Sequence, residues 1–172
     1  MSSWRFSPSA ESEARILLLI NAFSGGQRGH VQGRTKLAKL DFFLRYPRYL
    51  RRALAKRNIE GLTSDEDPAT IEQRMVRFRY GPWDPAYFSI LGSLVGRGLV
   101  EVVHMPKYIG FRTTDLGKQV AREIGEVDVW ADVAERSKLL RRAFSTQSGQ
   151  YMKRFVYDNF PEVTQATWGE SL

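Results

Sequence analysis

A mainly α-helical fold with a small β component is predicted, and three observations carry the prediction. Apolar residues recur at helical spacing in seven segments of the 172-residue chain. Two short runs, LVEVV at 99–103 and YIGFRTT at 108–114, flank the turn residues MPK and read as a hairpin. Gly, Pro, Ser or Asp stands at the breaks between most of these segments. The length suits a single domain. Its expected parts are a core over 11–125 with an acidic insertion at 58–72, and a helical extension over 126–172.

Residues 11–23 (ESEARILLLINAF) predict a buried helix whose first-turn acids complement the helix dipole. SGGQRGHVQG then breaks it. From Arg34, Leu37, Leu40, Phe43 and Leu44 form an apolar stripe, with Lys36 and Lys39 off it. Pro47 ends or restarts this helix. RYLRRALAKR continues with Tyr49, Leu50, Ala53 and Leu54 inward.

MVRFRY at 75–80 alternates apolar and basic residues as a half-buried strand does. GPWDP is expected to turn, with Asp84 capping the next helix and Pro85 at its first position. That helix buries Tyr87, Leu91, Leu94 and Val95, and Gly98 stops it. After the hairpin, Thr114 or Asp115 caps a helix with Leu116, Val120 and Ile124 inward. Two more helices follow. The first, 127–144, sets Trp130, Val133, Ser137, Leu140 and Phe144 on one side; the second, 147–160, buries Met152, Phe155 and Val156 and closes at Pro161. Three helices, a short strand, a helix and a hairpin is the order of a winged helix-turn-helix. The expected fold class is therefore mainly α with a small β wing, a winged helix-turn-helix core plus C-terminal helices.

The formal net charge of +7 is concentrated. Between residues 34 and 57 stand nine basic residues, Arg34, Lys36, Lys39, Arg45, Arg48, Arg51, Arg52, Lys56 and Arg57, against one acid, Asp41. That segment nets +8, so the rest of the chain sums to −1. Two readings stay open: solvated helix faces, or a surface that contacts nucleic-acid phosphates. Residues 58–72 reverse the sign, with Glu60, Asp65, Glu66, Asp67 and Glu72 and no base before Arg74. Such a linker, lying on the basic segment, would weaken the nucleic-acid reading.

Several chemistries lack their residues. There is no cysteine, hence no disulfide and no thiolate metal site. Gly25, Gly26, Gly29 and Gly33 miss the phosphate-loop spacing, and GQRG at 26–29 matches an RNA-clamping GxxG over four residues only. No serine has glycines two residues away on both sides. His30 and His104 stand apart and make a poor metal site, and Asp65, Glu66 and Asp67 lack a calcium-loop spacing. Neither an enzyme activity, a metal nor a cofactor is expected. The longest apolar run, ILLLI at 16–20, is far short of the ~20 residues that cross a bilayer. The opening MSSWRFSPSAESEAR does not read as a secretory signal. A cytoplasmic location without membrane contact is expected.

A sequence-reading winged helix offers Arg, Lys, Asn or Gln to base edges from its second motif helix. Here that helix is PAYFSILGSLVGR, whose non-core positions are Ser89, Gly92, Ser93 and Gly96, with Arg97 at the far end. Small residues there suit packing against another protein. Tyr80, Trp83 and Tyr87 add large side chains with polar tips, typical of interface centres. They equally suit plugs at the top of the core. The expected protein interface is Tyr80, Trp83, Tyr87, Ser89, Ser93 and Arg97, and Lys107 and Arg112 on the hairpin are candidates for non-specific phosphate contact.

Four stretches, RTKLAKLDFFLRYP, RYGPWDPAYFSILGSLVGRGLVEV, FRTTDLGKQVA and YMKRFVYDNFPEV, resemble the winged-helix middle components of three-component systems built around an ABC-type ATPase. They are similar in turn to the small accessory subunits of Lamassu-type antiphage systems and, more loosely, to YwgA-like and SocA-like phage-associated proteins. The resemblance spans roughly 34–57, 75–125 and 150–163; the acidic stretch 60–72 has no counterpart in it. It implies a non-catalytic subunit beside an SMC-like ATPase and a nuclease or other effector, in phage or plasmid defence. The expected function is a bridge from the ATPase to the effector or to double-stranded DNA. The alternative is a free-standing winged-helix transcriptional regulator.

Overall fold

Helix α1 (Ala10–Phe23) is the axis on which the rest of the fold is laid. A computed structural model describes residues 9–26, 29–62 and 85–165, together with the backbone of 76–78 and 81–83. Ser9 caps α1 by accepting the Ser12 amide, and the Ser12 side chain accepts the Ser9 amide in return. The unbroken run Ile16–Ile20 is buried on every side, as expected of a helix apolar all round. α2 (Gly33–Arg45) and α3 (Pro47–Lys56) follow, separated at Tyr46, with Pro47 at the first turn of α3 where its missing N–H costs nothing. β1 (Val76–Phe78) pairs antiparallel with β2 (Gly81–Trp83). Then come α4 (Tyr87–Gly96), β3 (Val100–His104), β4 (Ile109–Thr113), α5 (Asp115–Gly125), α6 (Asp128–Phe144), α7 (Gly149–Asn159) and α8 (Pro161–Thr164).

The described residues are therefore mainly helical, with two small two-stranded antiparallel sheets. β3 and β4 pair from Val100↔Thr113 to His104↔Ile109, and Val31 adds an isolated antiparallel bridge to Phe111. α6 lies along α1, and α7 along α2. Leu140, Phe144, Met152, Phe155, Val156 and Phe160 share one apolar cluster with α1 and α2. The helices expected as an extension thus complete the core itself. Much of this half is aromatic: Phe43 stacks on Phe144 at 6.0 Å, and Phe42, Tyr49, Phe155 and Phe160 meet edge-on or tilted.

Local differences from expectation have local causes. Gly81–Trp83 is a strand rather than a turn; Pro82 is tolerated because a two-stranded hairpin has only edge strands. Asp84 lies outside the described residues, and Ala86 rather than Asp84 stands at the N-cap of α4. Ile90 takes the inward place expected for Val95, which is exposed. Thr114 caps α5, accepting the Gly117 amide and donating to the Gly98 carbonyl. Leu116 is exposed, because Gly117 and Ala121 face inward instead. A Cβ on Gly117 would overlap the Leu99 carbonyl, so that approach admits only glycine. Pro161 opens α8 rather than closing α7.

Candidate functional site

The basic segment divides between the interior and the surface. Lys36, Lys39 and Arg45, expected among the phosphate contacts, are buried and do not reach the surface. α2 is covered on nearly every side, and its off-stripe cations face other elements rather than water. Lys36 reaches the end of α6, where its ammonium donates to the carbonyls of Phe144, Ser145 and Gln147 at 2.8, 3.3 and 2.6 Å. A cation at a helix C-terminus satisfies carbonyls that have no partner within the helix and opposes the helix dipole. Burial nevertheless lowers the Lys36 pKa from 10.5 to about 8.

Arg45 belongs to a second buried group built around the segment's single acid. The Asp41 carboxylate accepts from Arg15 Nε at 2.7 Å and from the Tyr87 hydroxyl at 2.7 Å, and Arg45 stands 3.5 Å away. Desolvation pushes the Asp41 carboxyl upward, but Arg15 and Arg45, with the hydrogen bonds from Arg15 and Tyr87, bring it below its ordinary value. Tyr87, expected at an interface, is fully buried here because its ring plugs the core and its hydroxyl serves Asp41.

Arg34, Arg48, Arg51, Arg52 and Lys56 remain exposed, while Arg57 is half-buried. The Arg57 guanidinium donates to the Ala143 carbonyl and to the Tyr151 hydroxyl. Arg52 pairs with Glu162, donates to the Asn159 carbonyl and lies over Phe160. Arg48 lies over the Tyr49 ring, 4.7 Å from its centre. These contacts staple α3 to α6, α7 and α8, so part of the exposed charge is structural.

Of the remaining interface residues, Ser89 is exposed and Ser93 half-buried on α4. Arg97 faces Ser93 and, at 3.8 Å, Glu13 of α1. Tyr80 and the Trp83 side chain lie outside the described residues, as does the acidic stretch from 63 to 72. On the hairpin, Arg112 pairs with Glu101, and Lys107 is exposed. His30 and His104 are not brought together: His30 Nε2 hydrogen-bonds the Tyr108 hydroxyl at 2.8 Å, and His104 is exposed on β3. Among the described residues, no three His, Asp or Glu side chains gather as a metal ion would require. None of the described helices is long and apolar enough to cross a membrane.

The face of α4 and the β3–β4 hairpin holds what sequence reasoning missed. A cleft of about 480 Å³ opens between the start of α2, α4 and the hairpin, lined by Gly33, Arg34, Thr35, Phe88, Leu91, Val102, Ile109 and Phe111. Its walls are apolar and partly wet: Phe88 is 58% exposed, Ile109 51% and Val102 37%. The Arg34 guanidinium sits 4.4 Å from the centre of the Phe88 ring, a cation–π contact at the rim. The signal was present at Phe88, an aromatic one position off the Tyr87–Leu91–Leu94 stripe of a short helix. Val95 on α4 and Met105 at the hairpin turn are also exposed. No protein-family model, curated protein or solved structure matches this chain.

Proposed function

We propose that this chain is a non-catalytic accessory subunit of an SMC-like or ABC-type ATPase assembly, in phage or plasmid defence, and that it docks a protein partner on the face formed by α4 and the β3–β4 hairpin. In this reading α4 and the hairpin are the second motif helix and the wing of a winged helix. The observation that carries it is the chemistry of that face. A helix that reads bases presents long polar donors. α4 presents Phe88, Ser89, Gly92, Val95 and Gly96 to solvent. Clustered exposed apolar residues mark association surfaces on soluble proteins. The ATPase as the partner comes from the sequence resemblance alone.

Exposed Arg48, Arg51, Arg52 and Lys56 on α3 favour a second role in the same subunit, sequence-independent contact with duplex phosphates. In the competing reading, a free-standing regulator, these same residues hold an operator.

Co-expression with the products of the flanking genes tests the proposal. The expected result is a stoichiometric complex with an ATPase subunit that survives 0.5 M salt at ~10 μM protein. A chain that elutes alone and protects a site upstream of its own gene overturns it in favour of the regulator.

A further inference from the structure

We infer that the cleft between α2, α4 and the hairpin seats a peptide segment of a protein partner, one that carries a large apolar side chain beside a carboxylate. The inference rests on the reading of this face as a protein-docking surface and names the chemistry that the surface selects.

The floor and walls are built by Phe88, Leu91, Val102, Ile109 and Phe111. These five offer only apolar contact, and the polar side chains, Arg34 and Thr35, stand together at the start of α2, so the group that fills the apolar part of the cleft is itself apolar. The volume of about 480 Å³ exceeds that of one aromatic or branched aliphatic side chain, leaving room for the flanking backbone.

Arg34 supplies the sign. Among the described residues it is the one charged residue lining the cleft, and its contact with Phe88 holds it at the rim. Among the described residues, no carboxylate lies within ion-pair distance of it. A guanidinium over a ring can still donate a two-pronged hydrogen bond to a carboxylate. The complementary segment therefore places an acid next to its apolar anchor.

Openness decides between a peptide and a small metabolite. A small ligand gains affinity by having most of its surface enclosed, commonly 70–90%. Phe88, Ile109 and Val102, themselves 37–58% exposed, do not enclose one. A peptide belonging to a larger partner closes the cleft with the partner's own surface.

Three probes test this by amide chemical-shift titration of the isotope-labelled full chain. They are a blocked hexapeptide with a Leu-Phe centre flanked by glutamates, its counterpart flanked by lysines, and naphthalene-2-carboxylate. The acidic peptide is expected to move the amides of Arg34, Phe88, Val102 and Ile109, and to bind at least ~10-fold more tightly than the basic one, the loss of a single charged hydrogen-bonded pair. Arg34→Glu, at an exposed position, reverses that order. Equal binding of the two peptides, or shifts elsewhere only, overturns the inference. Saturation by the naphthoate with neither peptide bound also overturns it, making the cleft a small-ligand pocket. Co-purification with the ATPase separates the two levels. If peptide selectivity fails but Phe88→Asp abolishes the complex, the acidic anchor is wrong and the docking face stands. If Phe88→Asp leaves the complex intact, the docking face falls too.

Discussion

Tyr87 donates its hydroxyl proton to Asp41 across the core, 2.7 Å from α4 to α2, and so ties the proposed docking helix to the most heavily charged point of the interior. Asp41 also pairs with Arg15 and Arg45, which are buried with it. Removing one partner from such a group leaves an uncompensated buried charge, at a cost of about 3–5 kcal/mol. Asp41→Asn is therefore expected to destabilise the fold by that amount in a denaturant titration. Tyr87→Phe, which removes one hydrogen bond, is expected to cost about 1–3 kcal/mol. The pH dependence has a definite sign. A carboxyl whose folded pKa is depressed contributes stability above its unfolded value of 3.8, lost as pH falls through the folded value. The wild type should lose stability steadily below pH 4, and Asp41→Asn should show a flatter profile there. Parallel profiles would mean that the folded pKa of Asp41 is not depressed below its unfolded value.

Lys36 gives a pH signature of the same sign at the alkaline end. The folded chain releases this proton near pH 8 and the unfolded chain near 10.5. Between those values the unfolded state binds more protons, so the contribution of Lys36 to stability rises with pH. Denaturation of the wild type and Lys36→Met at pH 7.5 and 10 separates this from other titrations. The wild type is expected to gain up to about 3 kcal/mol on the variant across that range. A constant offset between the two would place the folded pKa near its ordinary value.

The stripes of α3 and α7 were legible because those helices have a wet side: Tyr49, Leu50, Ala53 and Leu54, and Met152, Phe155 and Val156, are buried as their spacing predicts. α2 was not legible in this way. Lys36 and Lys39 lie off its apolar stripe, which ordinarily means solvent, but α7 and the end of α6 cover that side. The acceptors of Lys36 lie more than a hundred residues away, and no local period encodes them. Asp41 stood out as the lone acid among nine bases, yet its link to Tyr87 depends on how α4 packs. The cleft was invisible for the same reason, since Arg34, Phe88 and Ile109 meet only once the hairpin folds back over α2.

Duplex binding, where it occurs, has an upper bound set by burial. Each neutralised phosphate contributes about 0.9 to the slope of log affinity against log salt. Of the nine basic residues at 34–57, Arg34, Arg48, Arg51, Arg52 and Lys56 are exposed, so the slope from this segment is expected not to exceed about 4.5. Filter binding on an unrelated duplex between 50 and 200 mM salt measures it. Reversing Arg48, Arg51, Arg52 and Lys56 to Glu should abolish that binding. A slope near 8, or one unchanged by the reversal, would show that the duplex meets a different surface.

Phe88 separates a docking face from an incidental one. Its ring is 58% exposed, so truncation removes little core packing, and Phe88→Ala should move the melting temperature by no more than a few degrees. Leu91, on the same helix but 5% exposed, is the control: Leu91→Ala should cost about 2–5 kcal/mol of fold stability. An aromatic anchor in an interface typically costs 2 kcal/mol or more when truncated, about a thirtyfold loss of affinity. Phe88→Ala is thus expected to weaken the ATPase complex by that factor while the free protein stays folded. Both effects follow from one geometry, a large ring beside Arg34 that the core does not need. If the variant melts well below the wild type and loses the complex only in proportion, the ring serves the fold. If it retains both properties, α4 makes no anchored contact, and the partner must be sought on the arginine-rich face of α3.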